Sequence, residues 1–246
     1  MDRLIYTAMT GASATMGQEA SVAHNLANAT STGFKAELHR LRAVPVQNAP
    51  MPSRAFVVDA SVSNDFASGP LQHTNRPLDM AIHGAGWFAV QMPDGSEAYT
   101  RNGSFEVSPN GILQTRTGLP VLGGGGPITV PPDVEVVVGA DGTISTVPRT
   151  GARNTTNAVD QLKLVNPPEQ DLTRGADGYF RLAGGNAAPA DPAVRVASGY
   201  LEGSNVNVVE QMVSMISLAR QYELQTRMLS TAQEMDRAAG QLVAKA

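Results

Sequence analysis

The sequence predicts an α+β protein with an antiparallel, β-rich central domain and long N- and C-terminal helices that pack in a coiled-coil-like manner. Apolar residues recur at alternating steps of four and three over residues 205–246, and a seven-residue spacing runs through residues 1–28. Between these ends the hydrophobic period becomes two, and Asn-Gly and Asp-Gly pairs separate short runs. These observations predict a helical assembly domain (residues 1–28 and 205–246), an extended connector arm (29–75) and a central β domain (76–204).

The first helix is expected to run from the N-terminus to about Asn28. Met9, Met16 and Ala23 lie seven residues apart, so they share one helical face. The helix is expected to end where Asn, Thr and Ser residues lead to Gly33, because such residues compete for backbone hydrogen bonds or adopt left-handed conformations. The small residues of this helix would let a neighbouring helix approach closely.

Residues 34–75 are expected to form a short helix or an extended arm, followed by a partly irregular connector with a strand near residues 54–58. The apolar residues at 34, 38, 41 and 44 are spaced almost as in a helix. Pro45, Pro50 and Pro52 then interrupt that pattern.

Short strands separated by turns are expected from about residue 78 onward. Residues 87–92 and 97–101 flank a Pro-Asp-Gly turn ending at Gly95 and predict a β-hairpin. Further strands are predicted at residues 105–107, 112–117, 128–130, 134–138, 143–147, 162–165, 179–183 and 194–197. Many short strands with turns at this spacing are typical of an antiparallel β domain.

The C-terminal helix is longer than a domain of this size needs to cover its own core. Residues 205–246 contain no proline and one glycine, Gly240, and as a helix would span roughly 60 Å. Its apolar face shifts near Gln225, which indicates more than one helical neighbour. The alternative is a helix that lies on its own domain. The predicted assembly interface of the two helices consists of Ile5, Ala8, Met9, Ala12, Met16, Ala20, Ala23, Leu26, Val208, Met212, Met215, Ala219, Tyr222, Met228, Leu229, Ala232, Met235 and Leu242.

Composition excludes several classes of protein. A net charge of −4 and the absence of a Lys/Arg cluster argue against nucleic-acid binding. The chain has no cysteine, so disulfides and thiolate chemistry are excluded. No window approaches 18 apolar residues, and the first residues are amphipathic, so neither a membrane span nor a cleaved signal peptide is expected.

No set of residues predicts catalysis. The four glycines from Gly123 to Gly126 lack the Lys-Ser/Thr of a phosphate-binding loop and precede a strand. His73, Asp79 and His83 fit no standard metal-ligand spacing. The sequence therefore predicts no catalytic residue, no metal and no cofactor. A β-rich binding module that oligomerises through its helices, and a hydrolase that uses the β-domain loops, are the alternatives to a structural role.

The chain carries three separate motifs. The N-terminal motif spans residues 23–35, the central motif covers residues 76–88 and 99–105, and the C-terminal motif begins at residue 201. These motifs closely resemble those of the bacterial flagellar rod and hook proteins. They occur in the order of the family and span almost the whole chain. The residues that carry the terminal motifs are Asn25, Leu26, Ala27, Asn28, Thr30, Gly33, Phe34, Lys35, Ser204, Asn205 and Val206.

The resemblance implies a structural subunit of the flagellar basal-body rod, which transmits torque for motility and is not an enzyme. Its terminal helices would form a tube domain, and Asn25, Asn28, Thr30, Thr32 and Gly33 would end the first helix and direct the arm. The implied partners are other copies of the chain, other rod proteins and the flagellar export apparatus, with a periplasmic location in the basal body. Residues 1–12 and 41–45 are similar to the proximal rod protein, with the distal rod protein as the alternative.

Overall fold

The computed structural model describes residues 2–45, 55–148 and 156–243. The chain forms two compact units. The first, here called the helical unit, comprises Met1–Ala29, Lys35–Asp65 and Val206–Ala246. The second, the β unit, comprises Thr30–Phe34 and Phe66–Asn205. The chain therefore leaves or enters the β unit at three of its segments, around residues 30–34, at residue 66 and at residue 205.

The helical unit contains two helices and one β-hairpin: α1 (Asp2–Ala27), β1 (Glu37–Pro45), β2 (Ala55–Asn64) and α2 (Val208–Val243). The hairpin is antiparallel, with Glu37 opposite Asn64, and α1 contacts both of its strands as well as α2. In the middle of α1 Thr15 contacts Gln225, and the later turns of α1 line one pocket with the first turns of α2. The two helices therefore run antiparallel.

Strand β1 occupies the segment for which the sequence predicted either a short helix or an extended arm. Four apolar residues at nearly helical spacing favoured a helix, but local spacing is a weak preference that tertiary pairing overrides. In β1 every residue from Glu37 to Pro45 is paired with β2 through a ladder with one irregularity, between Arg40 and Leu41. An isolated nine-residue helix is marginal in water because its few hydrogen bonds do not offset the cost of nucleation, whereas β2 pairs along the whole of β1.

The β unit consists of short antiparallel strands in several small sheets. The strands are β3 (Leu71–His73), β4 (Met80–His83), β5 (Trp87–Gln91), β6 (Glu97–Thr100), β7 (Phe105–Val107), β8 (Leu113–Thr115), β9 (Val134–Val138), β10 (Thr143–Pro148), β11 (Asn157–Gln161), β12 (Leu164–Val165), β13 (Leu172–Arg174), β14 (Phe180–Leu182), β15 (Arg195–Ser198) and β16 (Tyr200–Glu202). A five-stranded sheet has the order β12-β5-β6-β14-β13, and a three-stranded sheet has the order β11-β10-β9. In three further pairs β4 lies beside β15, β3 beside β16 and β7 beside β8.

Strand β5 divides the interior of the β unit into two hydrophobic clusters. Successive side chains of a strand point to opposite faces, so Phe88 and Val90 join the larger cluster while Trp87 and Ala89 join the smaller one. Strand β5 is thus buried on both faces, and its partner β6 lies at the centre of the five-stranded sheet. The predicted α+β class and the predicted hairpin of residues 87–101 are confirmed.

Candidate functional site

The outer face of α1 carries an exposed, heptad-spaced row of apolar and small residues. Tyr6, Met9 and Met16 are 52%, 53% and 55% exposed, although side chains of this kind are usually buried. This α1 stripe, as we call it, advances by alternating steps of three and four, the spacing that packs one helix along another. Its members are Tyr6, Met9, Ser13, Met16, Ala20, Ala23 and Ala27.

Helix α2 also exposes apolar side chains along its length. In its C-terminal half Leu224, Met228 and Met235 are more than half exposed and, with Thr231, are spaced by four, three and four; we call these four residues the α2 stripe. Its first turns expose a second apolar set: Val208, Val209, Met212, Val213 and Ile216. Apolar side chains in such number on one helix are typical of an interaction surface.

The structure divides the predicted interface residues into two groups. The exposed group lies on the outer faces of the helices: Met9, Met16, Ala20, Ala23, Val208, Met212, Ala219, Met228 and Met235. The half-buried or buried group lies inside the helical unit: Ile5, Ala8, Ala12, Leu26, Met215, Tyr222, Leu229 and Ala232. The side chain of Leu242 lies outside the described residues. The sequence could not separate these groups, because both follow helical spacing.

Among these inner side chains α1 and α2 share a polar contact, Thr15–Gln225, that the sequence analysis missed. The Thr15 hydroxyl lies 3.1 Å from Gln225 Oε1 and 3.0 Å from the Gly11 carbonyl oxygen, two acceptors that share its single proton. A Cβ at Gly11 would lie 3.0 Å from Gln225 Nε2, so glycine leaves the space that the glutamine fills. Thr15 is 2% exposed, so this hydrogen bond lies in the interior of the helix pair. The available signal was the seven-residue repeat of Gly11, Gln18 and Asn25.

Asn25 anchors the hairpin to α1 and does not act as the predicted helix end. Its Nδ2 donates to the Glu37 carbonyl oxygen at 2.9 Å, and its Oδ1 accepts the Glu37 N–H at 2.8 Å. The neighbouring His24 Nδ1 lies 3.2 Å from the Glu37 carboxylate. Asn28 does close the helix, because its backbone N–H and its Nδ2 both donate to the His24 carbonyl oxygen. Lys35, in the loop before β1, is 1% exposed.

Within the β unit the N-terminal motif meets the central and C-terminal motifs at Gly33. Its N–H donates to the Glu202 carbonyl oxygen at 2.7 Å, and the preceding Thr32 hydroxyl donates to Asn102 Oδ1 at 3.1 Å. Gly33 has φ of +67°, and a Cβ there would lie 2.4 Å from the carbonyl carbon of Arg101. Both the conformation and the close approach therefore require glycine.

A buried ion pair lies at the centre of this meeting point. Arg101 Nη1 lies 3.1 Å from Glu202 Oε2, and the two side chains are 3% and 1% exposed. Glu202 Oε1 accepts the Gly69 N–H at 3.0 Å, and Arg101 Nη2 donates to the Gly84 carbonyl oxygen at 2.6 Å. Burial lowers the pKa of the Arg101 guanidinium, and Glu202 opposes that shift. We call Gly33, Gly69, Arg101 and Glu202 the junction cluster.

Aromatic and amide contacts extend the junction cluster. Phe34 packs against the Arg174 guanidinium, 4.5 Å from its ring centroid, and Phe66 packs edge-on against Trp87 at 5.8 Å. The Asn205 amide donates to the Ala67 carbonyl oxygen at 3.2 Å. Phe66 packs against the smaller hydrophobic cluster, and Ser204 of the C-terminal motif is buried.

The residues considered for chemistry have other contacts. His73 packs on Tyr200 at 4.7 Å between ring centroids, and Asp79 Oδ1 accepts from the Ser104 hydroxyl and lies 3.4 Å from Arg76 Nε. Among the described residues no group of three or more His, Asp or Glu side chains is arranged to hold a metal ion. In the same part of the chain no helix is both long enough and apolar enough to cross a membrane.

Comparison with known proteins agrees with the motifs. Residues 197–242 match the family described as flagellar basal body rod FlgEFG protein C-terminal, and residues 81–146 match the flagellar hook protein FlgE/F/G D1 domain. The flagellar basal-body rod protein FlgF of Escherichia coli is 47% identical over 249 residues, which cover 99% of each chain. The chain belongs to the flagellar basal-body rod protein family.

Two further relatives represent two members of the rod protein family, FlgF and FlgG. FlgF of Caulobacter vibrioides is 34% identical over 252 residues, which cover 100% of this chain and 99% of that protein. FlgG of Agrobacterium fabrum is 31% identical over 263 residues, which cover 95% of this chain and 96% of that protein. The chain is thus more similar to E. coli FlgF than to this FlgG, and the predicted resemblance to the proximal rod protein, FlgF, is confirmed.

Proposed function

We propose that this chain is a structural subunit of the bacterial flagellar basal-body rod that polymerises through the outer faces of α1 and α2. The α1 stripe is the observation that carries this proposal. It is heptad-spaced and largely apolar, and it stays exposed although α1 already contacts α2 and the hairpin. Fully burying an exposed methionine side chain is worth roughly 1.5–3 kcal/mol. Met9 and Met16 each have about half of their surface left to bury, so the stripe favours a helix partner.

The remaining parts of the proposal follow from the family. The partners are other copies of this chain and other rod proteins, which together form a tube of terminal helices, and the flagellar export apparatus delivers the subunit to the periplasm. The subunit transmits torque and catalyses no reaction. In this proposal residues 1–28 and 205–246 serve assembly and residues 76–204 form the central domain.

Met228→Asp tests the proposal. Met228 is 51% exposed, so we expect a change of at most about 0.5 kcal/mol in the stability of the monomer. In a rod the same position would place an unpaired charge in an apolar contact, which is costly. In cells that lack the native gene, we expect the variant to be exported but absent from isolated basal bodies, and the cells to be non-motile.

Ser230→Asp is the matched control, because it adds the same charge to an exposed polar position two residues away on α2. This control is expected to enter rods and to support swimming. Rods that contain Met228→Asp at the wild-type level would contradict assembly through the α2 stripe.

A further inference from the structure

We infer that Arg101 and Glu202 are positioning residues that hold together the three segments at which the chain leaves or enters the β unit. The inference rests on the proposed function, because these segments carry torque only in an assembled rod. It concerns only contacts inside the β unit.

Glu202 is the residue on which the three segments converge. Its carbonyl oxygen accepts the N–H of Gly33, in the first segment. Its Oε1 accepts the N–H of Gly69, which follows the second segment. Glu202 itself lies at the end of β16, three residues before Asn205 in the third segment. Glu202 thus binds the first two segments through two different oxygen atoms, and the chain itself connects it to the third.

The packing between the second and third segments leaves no space for side chains. A Cβ at Gly69 would lie 2.1 Å from the Gly203 carbonyl oxygen, and the Gly203 N–H donates to the Pro70 carbonyl oxygen at 2.8 Å. The backbones therefore approach as closely as hydrogen bonding allows. Such an approach fixes the separation of the two segments.

Arg101 connects this point to the central sheet. It directly follows β6, the third of five strands in its sheet, and its guanidinium lies 5.5 Å from the Trp87 ring centroid. Through Glu202 Oε2 it joins the three segments, and through Nη2 it joins the loop that follows β4. A force applied to any of the segments is therefore passed to β6 and to the five-stranded sheet around it.

The ionic character of the contact favours geometry over stability as its role. A buried ion pair gives little net stability compared with apolar residues of the same shape, because both charges lose their hydration. What it adds is direction, since a guanidinium and a carboxylate each bind several donors or acceptors in fixed orientations. Hydrogen bonds in fixed orientations keep the spacing of the three segments that meet at this point.

Glu202→Gln in the full chain tests the inference. Glutamine keeps the size of the side chain and an acceptor for Gly69, but it removes the charge that pairs with Arg101. By hydrogen exchange we expect the Gly33 and Gly69 amides to exchange on the order of tenfold faster, and amides of the β9–β10 hairpin to keep their rates. Unchanged exchange at Gly33 and Gly69, or an equal increase throughout the β unit, would overturn the positioning role.

Asp177→Asn is the matched control, because it removes the carboxylate of the exposed Asp177–Arg181 ion pair in the same unit. It is expected to leave the exchange of Gly33 and Gly69 unchanged. If Glu202→Gln fails to fold, Arg101→Lys, which keeps the charge but loses the fork geometry, is measured in its place with the same expected pattern and the same overturning outcomes.

A second readout addresses torque. In cells that lack the native gene, we expect Glu202→Gln to assemble into rods. The swimming speed of these cells is expected to fall more steeply with viscosity than that of cells with Asp177→Asn. Equal dependence on viscosity in the two strains would overturn the role under torque. The exchange measurement uses purified protein and does not depend on rod formation. A negative result there would overturn only the role of Arg101 and Glu202. The proposed function would instead be contradicted by rods that contain Met228→Asp.

Discussion

At the residue scale, polar groups in the interior of this protein replace backbone partners that the local chain lacks. Asn25, which is 2% exposed, offers one donor and one acceptor, and these match the carbonyl oxygen and N–H of Glu37 as another strand would. The Glu202 carboxylate does the same for the Gly69 N–H. Such residues look like ordinary helix-end or strand-end positions in the sequence, but their contacts are long-range.

Tyr99 gives a prediction about alkaline pH. It is fully buried, its hydroxyl oxygen accepts the Ala188 N–H at 2.7 Å, and burial raises its pKa to about 12. In the unfolded chain the pKa is about 10. The stabilising effect is therefore complete below pH 10 and is lost as pH rises towards 12, by at most about 2.7 kcal/mol. Urea unfolding at pH 8, 10 and 11 measures this loss.

Tyr99→Phe is the control for that prediction. It lacks the ionisable group, so its stability is expected to change less between pH 8 and pH 11, although it starts lower because the Ala188 N–H loses its acceptor. Parallel losses in the wild type and in Tyr99→Phe would contradict the assignment to Tyr99.

At the scale of elements, each terminal helix has an inner face and an outer face with different chemistry. The inner face of α1 is polar and small around Thr15, whereas the α1 stripe is largely apolar. In coiled coils a buried polar residue lowers stability and specifies which helix pairs with which, and in which register. We expect the Thr15–Gln225 contact to direct α1 to the α2 of its own chain and to leave the apolar stripes for other subunits.

Gln225→Leu tests this role. Because the chain has no native cysteine, cysteines introduced at Gln18 and Leu218, which line one pocket between the helices, report the pairing. In isolated basal bodies a short thiol cross-linker is expected to give mainly intrachain product when residue 225 is the native glutamine. With Gln225→Leu it is expected to give a substantial band of cross-linked dimer. Gln233→Leu, at an exposed position of α2, is the control. The same product pattern in all three backgrounds would contradict the prediction.

At the scale of the whole molecule, the hydrophobic interior belongs to the β unit. Both hydrophobic clusters lie there, and the buried apolar side chains described in the helical unit are the alanines Ala12, Ala14, Ala36 and Ala232. Ordering each residue costs roughly 1–2 kcal/mol of backbone entropy, and alanine contacts bury little area to offset this. We predict that the helices become ordered mainly on assembly, when the outer stripes are covered.

Limited proteolysis and circular dichroism of the free monomer check this expectation. Proteolysis is expected to cut within the helical unit and leave the β unit resistant, with Phe66–Asn205 in its main fragment, and the spectrum is expected to be mainly that of β structure. A protease-resistant, strongly helical monomer would instead mean that α1 and α2 already pair in the free chain.

The sequence by itself determined the periodic elements. The steps of four and three placed helices close to Asp2–Ala27 and Val208–Val243, and the period of two with Gly turns placed the hairpin of β5 and β6 and the strand Val134–Val138. These are local properties, since backbone geometry fixes how often a side chain returns to the same face. The motifs likewise sufficed for the family.

Only the tertiary structure decided which face meets which partner. Periodicity defines the faces of a helix but not its neighbour, so the polar inner contact at Thr15 and the apolar outer stripe were not distinguished. Strand β1 exists because β2 pairs with it, and Arg101 and Glu202, 101 residues apart, form an ion pair because separate strands bring them together. The physical reason is that long-range contacts depend on which chain closures the whole fold stabilises, and no local pattern records that choice.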